Sequence, residues 1–340
     1  MSMEIFTTAL KAVLPIVLLI LLGYILRQKG FLTDGFLAVG SKMVFRMGLP
    51  VMLFVSVYGI DSVTNIRWDI CLYCAGAIAV IYLLGVVTAL AVTKVPERRG
   101  VLVQCVFRSN YAIVGMPLAA ALGGGEALAV ASVLAAVIVP YFNILAVIAL
   151  SVLRRDSDGE TVRPGMIINE VVHNPLIAGV MAGLAVLVVR QWQLNHFGAV
   201  VFSLERDLAP LYEVLGELKA MTTPLALIVL GGQFRFSAVR GMFREIAVGT
   251  VWRTVLTPII GLGGAVLLSR MGLLQCGTAE YPALIALFGS PVAVSSAIMA
   301  KEMHNDEQLA TQLLVWTSVV SIVTIFGAVC LLMSLGFIAV

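Results

Sequence analysis

Nothing constrains this chain more than the grouping of its apolar residues. They come in runs of about 20 with almost no charge, which is the length a helix needs to cross bilayer hydrocarbon. Ten such runs are expected, near 5–26, 36–58, 69–92, 101–122, 127–153, 171–190, 211–233, 244–269, 281–300 and 309–338. Only 12% of the 340 residues are charged and mean hydropathy is +1.03. Soluble domains carry about 25% charged residues. The chain therefore reads as an all-α polytopic membrane protein with the lipid bilayer as its solvent.

The first run, in MSMEIFTTALKAVLPIVLLILLGYILRQK, has no basic leader and no small-residue cleavage site. It is also too long for a signal-peptide core, so it reads as the first transmembrane helix. The linkers are short; the longest polar ones are RRDSDGETVRPG (154–165) and RQWQLNHFGAVVFSLERDLAP (190–210).

Cytoplasmic loops collect Lys and Arg. One set of loops holds Arg27, Lys29, Lys94, Arg98, Arg99, Arg154, Arg155, Arg163, Arg235, Arg240, Arg244 and Lys301. The opposite set holds Arg67, Arg190, Arg206 and Arg270. The richer side is expected to be cytoplasmic, which puts both termini of a ten-span chain outside. The basic residues are spread over short loops, so nucleic acid is not an expected partner.

Two pairs of prolines share one spacing. Pro50 and Pro224, and Pro117 and Pro291, both lie 174 residues apart (224 − 50 and 291 − 117). The second pair also matches Gly115 with Gly289, GMPLA against GSPVA. The offset is five spans, an odd number, so the second half would be inserted upside down. Inverted repeats with paired Gly/Pro interruptions point to a secondary transporter with its site near the midplane. Repeat 1 is 1–153, a cytoplasmic linker covers 154–170, and repeat 2 is 171–340.

Proline removes an N–H and clashes with the preceding turn; glycine lets the chain unwind at little steric cost. A GxP break cannot face lipid, so it must face protein or an aqueous cavity. Two such breaks that cross would bring half-helix N-termini together, each carrying roughly +0.5 of a charge, and would favour an anion.

The candidate substrate-binding residues are Arg108, Ser109, Asn110, Gly115 and Pro117 at the first break. At the second they are Gly289, Ser290, Pro291, Ser295 and Ser296. Arg108 has two readings, a ligand or a side chain snorkelling to the nearby cytoplasmic loop. Ser295 and Ser296 either line the site or bond to their own helix carbonyls. Lys42, Arg46, Glu217, Lys219 and Arg253 are further charges within the apolar runs, and no acid stands at the bilayer centre.

Catalytic chemistry is not expected. His173, His196 and His304 are scattered, and HExxH, GxSxG and P-loop motifs are missing. Cys71 and Cys74 form a CxxC, but inside an apolar run, where they read as small packing residues. No metal, cofactor or disulfide framework is expected.

Five segments resemble the auxin efflux carrier family of membrane transporters: KMVFRMGLPVMLF (42–54), FRSNYAIVGMPLAAALGG (107–124), HNPLIAGVMAGL (173–184), TPLALIVLGGQF (223–234) and ALFGSPVAVSSAIMAKEM (286–303). The resemblance covers nearly the whole chain. It implies ten helices in two inverted five-helix repeats, as in bile-acid and sodium/proton transporters. Helices 1, 2, 6 and 7 would form a scaffold, with a homodimer through it. Helices 3–5 and 8–10 would form a moving transport domain, helices 4 and 9 crossing at Pro117 and Pro291.

Plant relatives export the carboxylate auxin; bacterial relatives are linked to malonate and other organic acids. Here the central loop is short, and the second crossover reads GSP rather than the plant Asn-Pro. The expectation is a bacterial inner-membrane carrier of a small organic anion, a malonate-like dicarboxylate or an auxin-like acid, working by alternating access. The alternative is a membrane sensor that binds a ligand without moving it.

Overall fold

The computed structural model describes residues 2–59, 67–154, 173–234 and 236–338. Among them every regular element is helical, and the only β feature is one isolated bridge. The expected linker 154–170 lies almost wholly outside the described residues, as do Arg155, Arg163 and Arg235.

The first half comprises α1 (Ser2–Gln28), α2 (Asp34–Met43), α3 (Leu49–Tyr58), α4 (Trp68–Val92), α5 (Pro96–Phe107) and α6 (Met116–Val152). The second comprises α7 (Pro175–Phe197), the one-turn α8 (Leu204–Asp207), α9 (Ala209–Gln233) and α10 (Phe243–Val251). It continues with α11 (Thr257–Arg270), α12 (Glu280–Gly289), α13 (Val294–Glu302) and α14 (Glu307–Ser334). A π turn joins α2 to α3 (Val44–Gly48), another leads into α6 (Tyr111–Gly115), and a third joins α10 to α11 (Trp252–Leu256).

Among the described residues, seven helical stretches are long and apolar enough to cross a membrane: Asp34–Val55, Trp68–Val92, Tyr111–Val152, Pro175–Phe197, Ala209–Gln233, Phe243–Arg270 and Glu307–Ser334. The chain is thus an all-helical, multi-pass membrane protein. Ten separate spans do not emerge by length and composition. The expected 5–26 lies within α1 (Ser2–Gln28), of which Val17–Gln28 is an apolar stretch. The expected 101–122 and 127–153 meet at Gly123 (φ −139°, ψ 18°) and Gly124 (φ 65°, ψ −154°), where the backbone leaves helical geometry and α6 divides into two helices across a kink. Gly124 takes a conformation open only to glycine. The expected 281–300 divides into α12 and α13.

Helix starts are written locally. Asn174 caps α7 by accepting from the Leu176 N–H at 3.0 Å, with Pro175 at the first helical position. Asp306 caps α14 by accepting from the Leu309 N–H at 2.9 Å.

Lipid supplies no hydrophobic drive between apolar helices, so close backbone approach carries much of the association. Gly179 and Gly183, four apart on α7, lie against α3; a Cβ on Gly179 would stand 2.5 Å from the Pro50 carbonyl oxygen. On the facing helices α1 and α9, Gly23 lies against the Ile228 carbonyl and Gly231 against the Ile20 carbonyl, each closer than a Cβ tolerates.

The two breaks meet. α5 ends at Phe107, and Arg108 turns extended (φ −89°, ψ 111°). α12 ends at Gly289, and Ser290 does the same (φ −62°, ψ 149°). Ser109 and Val292 form an antiparallel bridge, and the Asn110 N–H donates to the Pro291 carbonyl at 2.7 Å. Val292 N–H is satisfied from a third element, the Thr317 hydroxyl of α14, at 3.2 Å.

This corrects the expected position of the first break, which is Arg108–Asn110, not Gly115–Pro117. Pro117 stands just after the π turn Tyr111–Gly115, where Gly115 and Met116 are still helical, so the proline is taken up by a widened helical turn and the chain does not open there. Gly115 closes the π turn; a Cβ there would come within 3.0 Å of the Ala286 carbonyl oxygen on α12. Its role is close approach, not unwinding. Pro117 and Pro291 are consequently not equivalent, since the helices entering the breaks end at Phe107 and Gly289, 182 apart (289 − 107).

Candidate functional site

A cavity of about 40 Å³ lies against the crossing. Arg108, Ser109, Asn110, Asn143, Thr222, Thr223 and Ser295 supply its polar lining, and Met52, Ile113, Val139 and Phe142 belong to its apolar wall. Met52, Ala112, Ile113, Val139 and Thr223 also line a second cavity of about 870 Å³. This larger vestibule reaches Gly59, Arg67 and Lys219. Among the described residues no Asp or Glu lines either cavity.

Arg108 is 3% exposed. Its guanidinium donates to Gln104 Oε1 (2.9 Å), Asn143 Oδ1 (2.6 Å), Ser295 Oγ (2.8 Å) and Met299 Sδ (2.7 Å). It therefore does not snorkel to the loop. All four partners are neutral, so the pocket holds a cation whose charge nothing in the hydrogen-bonded shell cancels. Asn143 is itself held, donating to the Val139 carbonyl at 2.7 Å. A buried charge without a counter-charge is costly and in a membrane interior marks function.

Asn110 is 4% exposed, and its Nδ2 has no partner among the described residues; the buried Ser109 hydroxyl has none among them either. Native interiors rarely leave such donors unpaired without a reason. The two groups stand in the same cavity wall as Arg108, close to the starts of the π turn at Tyr111 and of α13 at Val294. A guanidinium, a free amide donor and two helix starts in an acid-free pocket can hold a carboxylate or similar oxyanion.

The remaining candidates build the crossing without lining the cavity. Ser290 is fully buried and donates to the Ala286 carbonyl at 2.6 Å. Pro291 supplies the carbonyl for Asn110. Gly289 ends α12, and the Ser296 hydroxyl is buried without a partner. Ser295, by contrast, bonds to Arg108 and lines the cavity.

Sequence reasoning missed Asn143, Thr222 and Thr223. Asn143 was visible as a lone amide in the run VPYFNILAV. The two threonines precede Pro224, in a helix whose own hydroxyl-to-carbonyl bond, Thr222 to Leu218 at 2.6 Å, hides them as ordinary helical residues.

Toward the end of the molecule opposite Arg67, polar bonds join helices far apart in sequence. Ser41 Oγ of α2 donates to Glu302 Oε1 of α13 at 3.0 Å, and Gln308 Nε2 of α14 donates to the Gln233 carbonyl of α9 at 3.1 Å. On the same end Arg98 joins Glu245 (3.1 Å) and Asp306 (2.9 Å).

Residues 8–328 match the family described as membrane transport protein. A protein of Methanothermobacter thermautotrophicus described as an uncharacterized transporter is 23% identical over 329 residues. The match covers 94% of this chain and 97% of that protein.

Proposed function

The chain belongs to the membrane transport protein family, the auxin efflux carrier family its motifs resemble, and from that premise we propose that it is a secondary carrier of a small organic anion. The carrying observation is the cavity at the crossing, where among the described residues no acid lines the wall, Arg108 has only neutral partners and Asn110 Nδ2 has none. A carboxylate there supplies the missing counter-charge and the missing acceptor together.

The binding residues in this reading are Arg108, Ser109, Asn110 and Ser295. Gly115, Pro117, Gly289, Ser290, Pro291 and Ser296 shape the crossing around them.

The mechanism in this reading is alternating access. The vestibule leads from the cavity to the Arg67 end, and Ser41–Glu302 and Gln233–Gln308 close the other, which corresponds to one stage of such a cycle. In this reading the excess of Lys and Arg in the opposite loops supports an external Arg67 end, with both termini outside a bacterial inner membrane.

With α2–α3 and α10–α11 as single spans, α5 with the first half of α6 and α12 with α13 as broken spans, and the second half of α6 by itself, the spans number ten together with α1, α4, α7, α9 and α14, and we read them as two inverted repeats. A scaffold would then comprise α1–α3, α7 and α9, homodimeric through its outer surface. The rest would form the moving unit.

Purified chain in liposomes tests the function with radiolabelled malonate, malate, pyruvate and indole-3-acetate, with and without proton and sodium gradients. Saturable flux of at least one acid is expected. Binding without flux would favour a sensor, and neither binding nor flux across the panel would refute the anion reading.

A further inference from the structure

Arg253 lies on the π turn between α10 and α11, far in sequence from either break, and is 0% exposed. Its guanidinium has no acidic partner among the described residues. Instead Nη1 reaches the Val106 carbonyl at 3.4 Å, and Nη2 reaches the Leu287 and Phe288 carbonyls at 3.3 and 2.6 Å. Thr257 Oγ1, one turn on, donates to the same Val106 carbonyl at 2.8 Å. These carbonyls belong to the last turns of α5 and α12, the two helices that run into the breaks.

A helix C-terminus leaves its last carbonyls unpaired and carries roughly −0.5 of a charge. Two such ends meet beside the crossing, and together they match one guanidinium. The starts of the segments that leave the breaks, at Tyr111 and Val294, instead line the cavity. We propose that Arg253 is a positioning residue for the transported anion: it joins the C-terminal ends of α5 and α12 and cancels their charge, so that the cavity carries the field of Arg108 and the two helix starts alone. A fork with several donors in one plane suits this role; the single ammonium of a lysine keeps the charge but not the multiple bonds.

The inference rests on the anion-carrier reading, so its test uses whichever acid of the four-compound panel the wild type moves fastest. Arg253→Lys, Arg253→Gln and Arg253→Met are purified, checked for monodispersity, and compared in liposomes for KM and maximal rate. Removing the charge should raise KM about tenfold or more, the scale on which helix-end charges act in buried geometries. Arg253→Lys should keep KM within about threefold of wild type while lowering the maximal rate, because only the fork is lost.

A residue that merely packs would lower the yield of folded protein and leave KM alone. Folded Gln or Met variants with wild-type KM would therefore overturn the proposal, as would a Lys variant whose KM rises as far as theirs. If neither neutral variant folds, Arg253→Lys decides: a KM near wild type supports the charge role, and a tenfold rise refutes it. Absence of flux in the wild type would instead sink the carrier reading itself.

Discussion

Replacing Asn110 by alanine separates binding from stability, because the two should move in opposite directions. Its backbone N–H, which ties it to Pro291, survives the substitution. Its side-chain Nδ2 donates to nothing among the described residues. Leaving a buried donor unpaired costs about 1–3 kcal/mol, so Asn110→Ala should leave the melting temperature of the purified chain unchanged or slightly higher. A hydrogen bond to a charged group contributes about 1.5–3 kcal/mol. If Nδ2 donates to the anion, the loss corresponds to a KM roughly 10- to 100-fold higher, at about 1.4 kcal/mol per decade. The assay is initial-rate flux into liposomes over a wide substrate range, paired with thermal unfolding in detergent. A variant that melts several degrees lower with an unchanged KM would refute the reasoning, since the amide would then be a structural group and not a ligand.

Asn110→Asp should abolish flux with the fold intact, because a carboxylate beside Arg108 becomes a permanent internal counter-ion; transport at the wild-type rate would count against an anion site. Gly231→Ala should destabilise by about 1–3 kcal/mol, as overpacking does, because its Cβ meets the Ile20 carbonyl. Gly216→Ala on the same helix meets nothing within 4 Å and serves as the control in thermal unfolding. Glu302→Gln weakens the tie to Ser41 by about 1 kcal/mol. That should shift the population several-fold toward opening at that end, read as a longer distance between spin labels at Val39→Cys and His304→Cys. Unchanged distances would remove Glu302 from any closing role.

The multi-pass helical character was legible because it rests on summed apolar content, a quantity that survives ignorance of every contact. The location of the first break was not. Proline and glycine advertise a local capacity to break, and at Pro117 that capacity is absorbed by the π turn that leads into α6. The chain actually opens at Arg108–Asn110, where the Pro291 carbonyl takes the Asn110 N–H and the Arg253 guanidinium takes the Val106 carbonyl just before the break, while the Thr317 hydroxyl takes the Val292 N–H at the second break. Such partners leave no mark in a window of 20 residues. The candidate cavity was half visible for the same reason. Arg108, Asn110 and Ser295 stood out as polar residues in apolar surroundings, whereas Thr222 and Thr223 became informative only once α9 was set against the crossing.

The bridge between Ser109 and Val292 has a consequence for how the crossing opens and closes over time. Asn110 belongs to a non-helical segment at the edge of a cavity, the kind of place where backbone amides ordinarily trade their protons with water quickly. Here that amide is spent on the Pro291 carbonyl, so its proton can leave only when the two halves of the chain part company. In deuterated solvent the Asn110 amide should therefore retain its proton about as long as the helix interiors around it. The rate at which it finally exchanges would be a direct clock for separation of the crossing, readable without any substrate at all.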